Sequence, residues 1–123
     1  LVEEEVVNQN LAEFINPVAY LGDQMTKFTT EIGFKGLQNP DEVGAAAVDY
    51  LRVAGHLVFG YLFARMAQVA LREIAAGNTD PFYGAKLQTA RFYFAKLFPE
   101  TATLMRTARA GSKVLMDTDL ALA

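Results

Sequence analysis

The chain of 123 residues contains no cysteine and a single histidine, His56. The lack of cysteine excludes disulfides, thiolate nucleophiles and Cys-based zinc or iron–sulfur sites. A glycine-rich phosphate loop, a Ser-His-Asp set and metal-ligand spacings are missing as well. We therefore assign no catalytic, cofactor-binding or metal-binding residue. A lone histidine on a nearly apolar helix is more often a hydrogen-bonded structural residue than a base, and we interpret His56 in that way.

Long apolar runs are also missing. The longest nearly uncharged run of the most apolar segment covers the 12 residues 53–64 between Arg52 and Arg65, whereas a membrane-spanning helix needs about 20. The first residues of the given sequence lack the basic region and the apolar region of a secretory signal. We expect no membrane span and a cytoplasmic location. Because the chain begins at Leu1 and not at methionine, and runs straight into an acidic helix, we also expect it to be a piece of a longer protein.

The composition is that of a globular domain, with 52% apolar and 20% charged residues. We expect residues 1–123 to form one domain. Charge is unevenly distributed: residues 1–50 carry nine acids and two bases, whereas residues 81–113 carry six bases and one acid. The basic segment is either a phosphate or nucleic-acid surface, or it lies beside the acidic first helix. A pI near 5.1 favours the second interpretation, and we expect no nucleic-acid partner.

The apolar pattern predicts a first helix from about Val2 to about Thr30. Its stripe keeps its phase through Pro17, which predicts a kinked but continuous helix. Glycines and an Asn-Pro pair then predict a loop. The stripe consists of Val7, Leu11, Phe14, Val18, Leu21, Met25, Phe28 and Ile32.

A second helix is predicted from the Asn39-Pro40 start signal to about Ala76, followed by Gly77. Its polar residues change side along its length, since Asp49, Arg52 and His56 share one edge while Arg65, Gln68 and Arg72 share the opposite edge. We expect protein to cover different sides at the two ends, with full enclosure near residues 57–62.

The third helix starts with Asp80 as its N-cap and Pro81 at its first position. Its stripe continues through Pro99, which predicts one kinked helix to about Ala110, followed by a short apolar return at residues 114–116. The predicted fold is all-α: an antiparallel up-and-down bundle of three long helices, with helices 1 and 3 kinked at proline.

Phe92 and Tyr93 project away from the predicted stripe of the third helix. Apolar side chains outside the stripe indicate a second interface, and aromatic residues dominate such contacts. Alternatively, a curved first helix or the 114–116 return covers them. We propose Phe92 and Tyr93 as candidate interface residues.

The segment from about Val43 to Met116 resembles the C-terminal helical domain of bacterial acyl-CoA dehydrogenases, in particular the long forms that include long-chain and 3-methylmercaptopropionyl-CoA dehydrogenase-like enzymes. Helix 1 fits that domain in pattern only. The most specific blocks occur in the same order here: Tyr50-Leu51, Gly55, Ala64-Arg65-Met66-Ala67, Phe82-Tyr83, Ala85-Lys86-Leu87 and Ala90-Arg91-Phe92-Tyr93-Phe94.

The resemblance implies a parent oxidoreductase of fatty acid metabolism that uses FAD to remove two hydrogens from the α and β carbons of an acyl-CoA thioester. It places the catalytic carboxylate and the flavin-binding elements in preceding domains, so no cofactor is expected in this chain. It also implies the upstream dehydrogenase domains as partners and a homo-oligomer. Two hypotheses remain open: an accessory domain with a structural or subunit-contact role, or an autonomous helical-bundle interaction module.

Overall fold

The computed structural model describes residues 2–116, and side chains from Val7 onward. No strand occurs in this range, which confirms the predicted all-α class. The elements are α1 (Val2–Gln38), α2 (Asp41–Ala75), α3 (Pro81–Phe92), a π-helical turn (Tyr93–Leu97), α4 (Glu100–Ala108) and α5 (Lys113–Met116).

The first helix is longer than the glycines at its end predict. The expected end near Thr30 is wrong, because α1 continues to Gln38. Ile32 packs against the buried core in this extension. Gly36 allows a close approach to α2, since a Cβ there would lie 2.6 Å from Cγ2 of Val43. Packing in this last part of α1 therefore outweighs the low helix propensity of glycine.

The start signals of the second and third helices act as the sequence predicts. The Asn39 side chain accepts a hydrogen bond of 3.1 Å from the backbone N–H of Asp41. The Asp80 side chain accepts one of 2.9 Å from the backbone N–H of Phe82. Between these helices, Gly77 has a φ of +90°, in the left-handed region that favours glycine.

The third helix is not one continuous α-helix, and that prediction is wrong. Pro99 has no N–H, and its ring would clash with the carbonyl four residues earlier in a regular α-helix. The turn before it is π-helical, with the N–H of Phe98 bonded to the carbonyl of Tyr93 five residues earlier, at 2.9 Å. This wider turn rotates the following side chains, so that Phe98 is buried and Leu97 is 49% exposed.

The core consists of two clusters along the helices. One joins the first half of α1 to the second half of α2 and to α3, and the other joins the second half of α1 to the first half of α2 and to α4. Their members include Phe14, Ala67, Leu71 and Leu87 in the first cluster, and Phe28, Val53, Tyr93 and Met105 in the second. Bends at Pro17 and Pro99 stay predictions.

The second helix is not enclosed along residues 57–62, and that prediction is wrong. Phe59 is 56% exposed and Leu62 is 54% exposed. The reason is that α1 and α3–α4 cover α2 from one side only, and its outer side remains apolar and uncovered.

Within residues 2–116, α2 is the one helix long and apolar enough to cross a membrane, judged by length and composition. Of its most apolar window, 28% is buried. Core helices pass the same test, so this is weak evidence for a span. The expected lack of a membrane span stays a prediction.

Candidate functional site

The single histidine is the centre of a hydrogen-bonded network between α2 and residues 81–109. These residues include α3, the π-helical turn and α4, and we call them the third helical region. Nδ1 of His56 lies 2.9 Å from the hydroxyl of Tyr93, and Nε2 lies 2.8 Å from Oε2 of Glu100. Nη2 of Arg52 donates to the other carboxylate oxygen of Glu100 at 2.8 Å. The network therefore joins α2 to both the π-helical turn and α4.

The network satisfies either protonation state of His56. The Tyr93 hydroxyl also lies 3.1 Å from the backbone carbonyl of His56. A hydroxyl has one hydrogen and two lone pairs, so Tyr93 can donate to the carbonyl and accept from a protonated ring, or donate to Nδ1 of a neutral ring. The structure agrees with the interpretation of His56 as a hydrogen-bonded structural residue.

Burial and charge fix the ionisation of Tyr93 and Glu100 in this network. Burial, and then the negative charge of Glu100, raise the pKa of Tyr93 to about 12. The Tyr93 ring is 4% exposed and stacks on Phe63 with ring centroids 4.4 Å apart. The hydrogen bond from His56, supported by the positive charge of Arg52, lowers the pKa of Glu100 below its ordinary value. At neutral pH the phenol is therefore neutral and the carboxylate is charged.

A cleft of about 460 Å³ lies over this network, with apolar walls that include Gly55, Phe59 and Leu97. The polar atoms at its base already bond to one another, which leaves no free base beside a nucleophile. No group of three potential metal ligands occurs among residues 2–116. The arrangement ties helices together and does not suggest a reaction.

The two candidate interface residues differ in their surroundings. Phe92 is 60% exposed, and its role as an interface residue stays a prediction. Tyr93 lies inside the second core cluster, so the expectation that it projects away from the core is wrong. The physical reason is that Tyr93 follows the buried Ala90 by three residues, which places it at the edge of the stripe, where Phe63 of α2 stacks on its ring.

The basic segment lies beside the acidic first helix, as the second interpretation of the charge pattern predicts. Arg91 of α3 bonds to Glu13 of α1 at 2.8 Å, and Nε of Arg109, just after α4, bonds to Glu31 at 3.0 Å. These ion pairs are half-exposed, so each contributes about 1 kcal/mol or less. Their main effect is to set which helices are neighbours.

A row of ten positions runs along the outer side of α2, and we call it the outer seam. Its positions are separated by alternating steps of three and four residues, and its large apolar members are 54% to 80% exposed. The sequence pattern does not reveal this surface, because an exposed apolar helix and an enclosed one have the same composition. The outer seam consists of Asp41, Gly44, Val48, Leu51, Gly55, Val58, Leu62, Arg65, Val69 and Arg72.

Two further clefts widen the apolar surface on the α1 side of the outer seam. One, of about 520 Å³, lies between the end of α1 and the start of α2, with Ile32, Val43 and Tyr50 among its lining residues. The other, of about 280 Å³, lies between Ile15 of α1 and Tyr61 of α2. The exposed apolar area is therefore larger than a scatter of single surface side chains.

The described residues form an all-helical domain with exposed apolar side chains along α2, and they carry no recognisable catalytic set. The family described as "Acetyl-CoA dehydrogenase C-terminal like" matches residues 1–119, and the chain belongs to this family. The predicted resemblance to the C-terminal domain of acyl-CoA dehydrogenases is thereby confirmed. A search of curated proteins finds no match to the chain.

Proposed function

We propose that the chain is an accessory C-terminal domain of an FAD-dependent acyl-CoA dehydrogenase of the long-form type, with a structural and contact role and no catalytic residue of its own. Family membership supports the class of the parent enzyme. The contact role depends on one observation, the exposed apolar outer seam of α2. An apolar surface of this extent is the usual mark of a protein–protein contact.

The parent reaction removes a hydrogen from each of the α and β carbons of an acyl-CoA thioester, with FAD as the acceptor. The clefts described above do not fit a flavin. Polar atoms of the cleft over His56 are already bonded to one another, and the two clefts beside α1 are lined almost wholly by apolar atoms. We therefore derive no step of the reaction from these residues.

The match over residues 1–119 favours an accessory domain over an autonomous interaction module. A chance similarity of helical periodicity would not reproduce a family pattern over nearly the whole chain. Under this proposal the partners are the upstream dehydrogenase domains or other subunits of a homo-oligomer, and the enzyme is cytoplasmic.

The test replaces Leu51 and Leu62 together by aspartate in the full-length enzyme. Both lie on the outer seam and are mostly exposed, so the fold of the domain should persist. We expect altered assembly in sedimentation velocity, or faster proteolytic release of the domain, with an unchanged flavin spectrum. The control is Leu37→Asp, because Leu37 is 85% exposed on α1 and lies off the seam.

Two results would contradict the proposal. Assembly and proteolysis identical to the wild type would remove the contact role. Loss of the flavin spectrum from an otherwise intact assembly would show that this domain lines the cofactor site.

A further inference from the structure

The spacing of the outer-seam positions is the same whether it is counted from the first or from the last position. From Asp41 to Arg72 its steps are three, four, three, four, three, four, three, four and three residues. This series is symmetrical about the point between His56 and Leu57. An antiparallel second copy of α2 therefore places every seam position opposite another seam position, as an isologous contact about a twofold axis requires.

The pairs that this symmetry creates match in size. Gly55 lies opposite Val58 of the second copy, and Gly44 lies opposite Val69. A Cβ built on either glycine meets no atom within 4 Å, so the space above each is open to receive a valine. Leu51 lies opposite Leu62, and both are more than half exposed. Small residues opposite larger ones let two helices pack with knobs in holes.

The charges at the two ends of the seam are also complementary. Asp41, in the first turn of α2, lies opposite Arg72, in its last turn. Arg65 lies opposite Val48, over which its aliphatic stem can pack while the guanidinium reaches water. A parallel copy would instead place Asp41 opposite Asp41 and Arg72 opposite Arg72, which repel.

We propose that the outer seam binds a second copy of this chain, with the two α2 helices antiparallel and related by a twofold axis beside His56. This inference rests on the contact role proposed above and names the partner. The alternating steps of three and four residues favour a left-handed crossing of the two helices. The clefts beside α1 then face each other across the axis and add apolar area to the contact.

The first test uses the lack of cysteine in the chain, which makes introduced cysteines the sole thiols. Leu51→Cys and Leu62→Cys chains are prepared separately, mixed and oxidised mildly. Antiparallel pairing predicts a disulfide between the two variants in the mixture. It predicts little in either variant alone, because two copies of position 51 then lie about 16 Å apart along the helix, and a disulfide spans at most about 7 Å.

The control for random collision is Tyr20→Cys, at a position of α1 that is 68% exposed and off the seam. Circular dichroism checks that each variant keeps its helicity. Crosslinking of the mixture no greater than that of this control would overturn the proposal. Preferential crosslinking within Leu51→Cys alone would show parallel pairing and overturn it as well.

The second test fills the small position at the centre of the seam. Gly55→Leu should keep or raise the melting temperature at low concentration, because leucine is a better helix former and the site is open within one chain. It should weaken self-association at least tenfold in sedimentation equilibrium. Gly84→Leu is the control, since Gly84 is also an open helical glycine but lies on α3, off the seam.

The outcomes separate this inference from the proposed function. If Leu51 and Leu62 are needed for assembly of the full-length enzyme but the cysteine variants do not crosslink, the contact role stands and the partner is another part of the enzyme. Binding of the wild-type chain to phospholipid vesicles that Leu51→Asp abolishes would assign the seam to a membrane surface and overturn the inference.

Discussion

Tyr93 and His56 are polar residues in an otherwise apolar part of the helix contact, and each makes the burial of the other possible. A buried hydroxyl without a partner costs about 1–3 kcal/mol. The Tyr93 hydroxyl avoids this cost through Nδ1 and the carbonyl of His56. The imidazole in turn is held at its other nitrogen by Glu100. The hydrogen bonds to His56 therefore allow the hydroxyl of Tyr93 to be buried in the core.

The raised pKa of Tyr93 predicts a loss of stability in alkaline solution. In the unfolded chain the phenol titrates near its ordinary value of 10.0, whereas in the folded chain its pKa is about 12. Between these values the folded state keeps a proton that the unfolded state loses, so the free energy of unfolding falls as pH rises from about 10 to about 12. Tyr93→Phe should reduce this fall.

Urea unfolding of both proteins at pH 8 and pH 11 measures the effect. At pH 8 the variant should be less stable by about 1–3 kcal/mol, because Nδ1 of His56 loses its partner. This difference should be smaller at pH 11. A difference that stays constant would contradict the raised pKa.

The lowered pKa of Glu100 predicts the opposite dependence in acid. The carboxylate bonds to His56 and Arg52 in the folded chain, which holds its pKa below 4.5. Its contribution to stability is present above pH 4.5 and is lost as pH falls through the lower pKa of the folded state. Glu100→Gln should therefore be less stable than the wild type at pH 7, and the difference should narrow as the pH falls below 4.5.

Thermal melting at pH 7, 5 and 3 measures this narrowing. Glu31→Gln is a matched control, because Glu31 also pairs with an arginine of the third helical region but its carboxylate does not contact the histidine. An unchanged gap at pH 3 would show that Glu100 acts through packing alone.

Among the elements, the π-helical turn has the largest effect on which side chains reach the core. Pro99 removes one backbone hydrogen bond, and the preceding turn widens to a five-residue bond between Phe98 and Tyr93. After the widened turn Phe98 is buried and Leu97 is left half-exposed. The proline and the turn before it thereby determine which of these two side chains reaches the core.

Replacement by alanine should have opposite effects on stability at two exposed glycines, Gly77 and Gly84. Gly77→Ala should destabilise the chain by about 1–2 kcal/mol, because its φ of +90° forces alanine into the left-handed region. Gly84→Ala should stabilise it by about 0.5–1 kcal/mol, since Gly84 lies inside α3 with open space around it. Thermal melting of both variants under one condition measures the difference. Shifts of equal sign would contradict these backbone assignments.

The helix starts could be predicted from the sequence because capping is local chemistry. Asp80 satisfies the N–H of Phe82 with no help from the rest of the fold. Two other features depend on tertiary structure and could not be predicted in this way. The burial of Tyr93 depends on its contacts with His56 and Phe63 of α2, and the exposure of Leu62 depends on how many helices surround α2.

For the whole molecule, charge and apolar surface have separate roles. Two ion pairs between α1 and the third helical region, Glu13 with Arg91 and Glu31 with Arg109, join the oppositely charged ends of the sequence inside the fold. They leave little reason to assign the basic segment to a nucleic acid. The apolar residues of the outer seam are not used inside the fold. The surface that remains for a partner is therefore apolar along α2, with charges at its ends.

Phe92 provides a second exposed apolar surface. Its ring is exposed, whereas the ring of the neighbouring Tyr93 is buried. Phe92→Ser should leave helicity unchanged and alter the free energy of unfolding by no more than about 0.5 kcal/mol, as is usual for surface substitutions. Tyr93→Ser should instead cost about 3–5 kcal/mol, the range for truncating a large buried ring.

If Phe92 is an interface residue, Phe92→Ser should also weaken assembly of the full-length enzyme in sedimentation velocity. Phe34→Ser is the control, because Phe34 is also an exposed phenylalanine, 69% exposed, but belongs to α1. Equal sedimentation of the two variants and the wild type would remove Phe92 from the assembly. The outer seam would then be the main surface left to hold this domain in the enzyme, since an apolar helix of this length otherwise faces water.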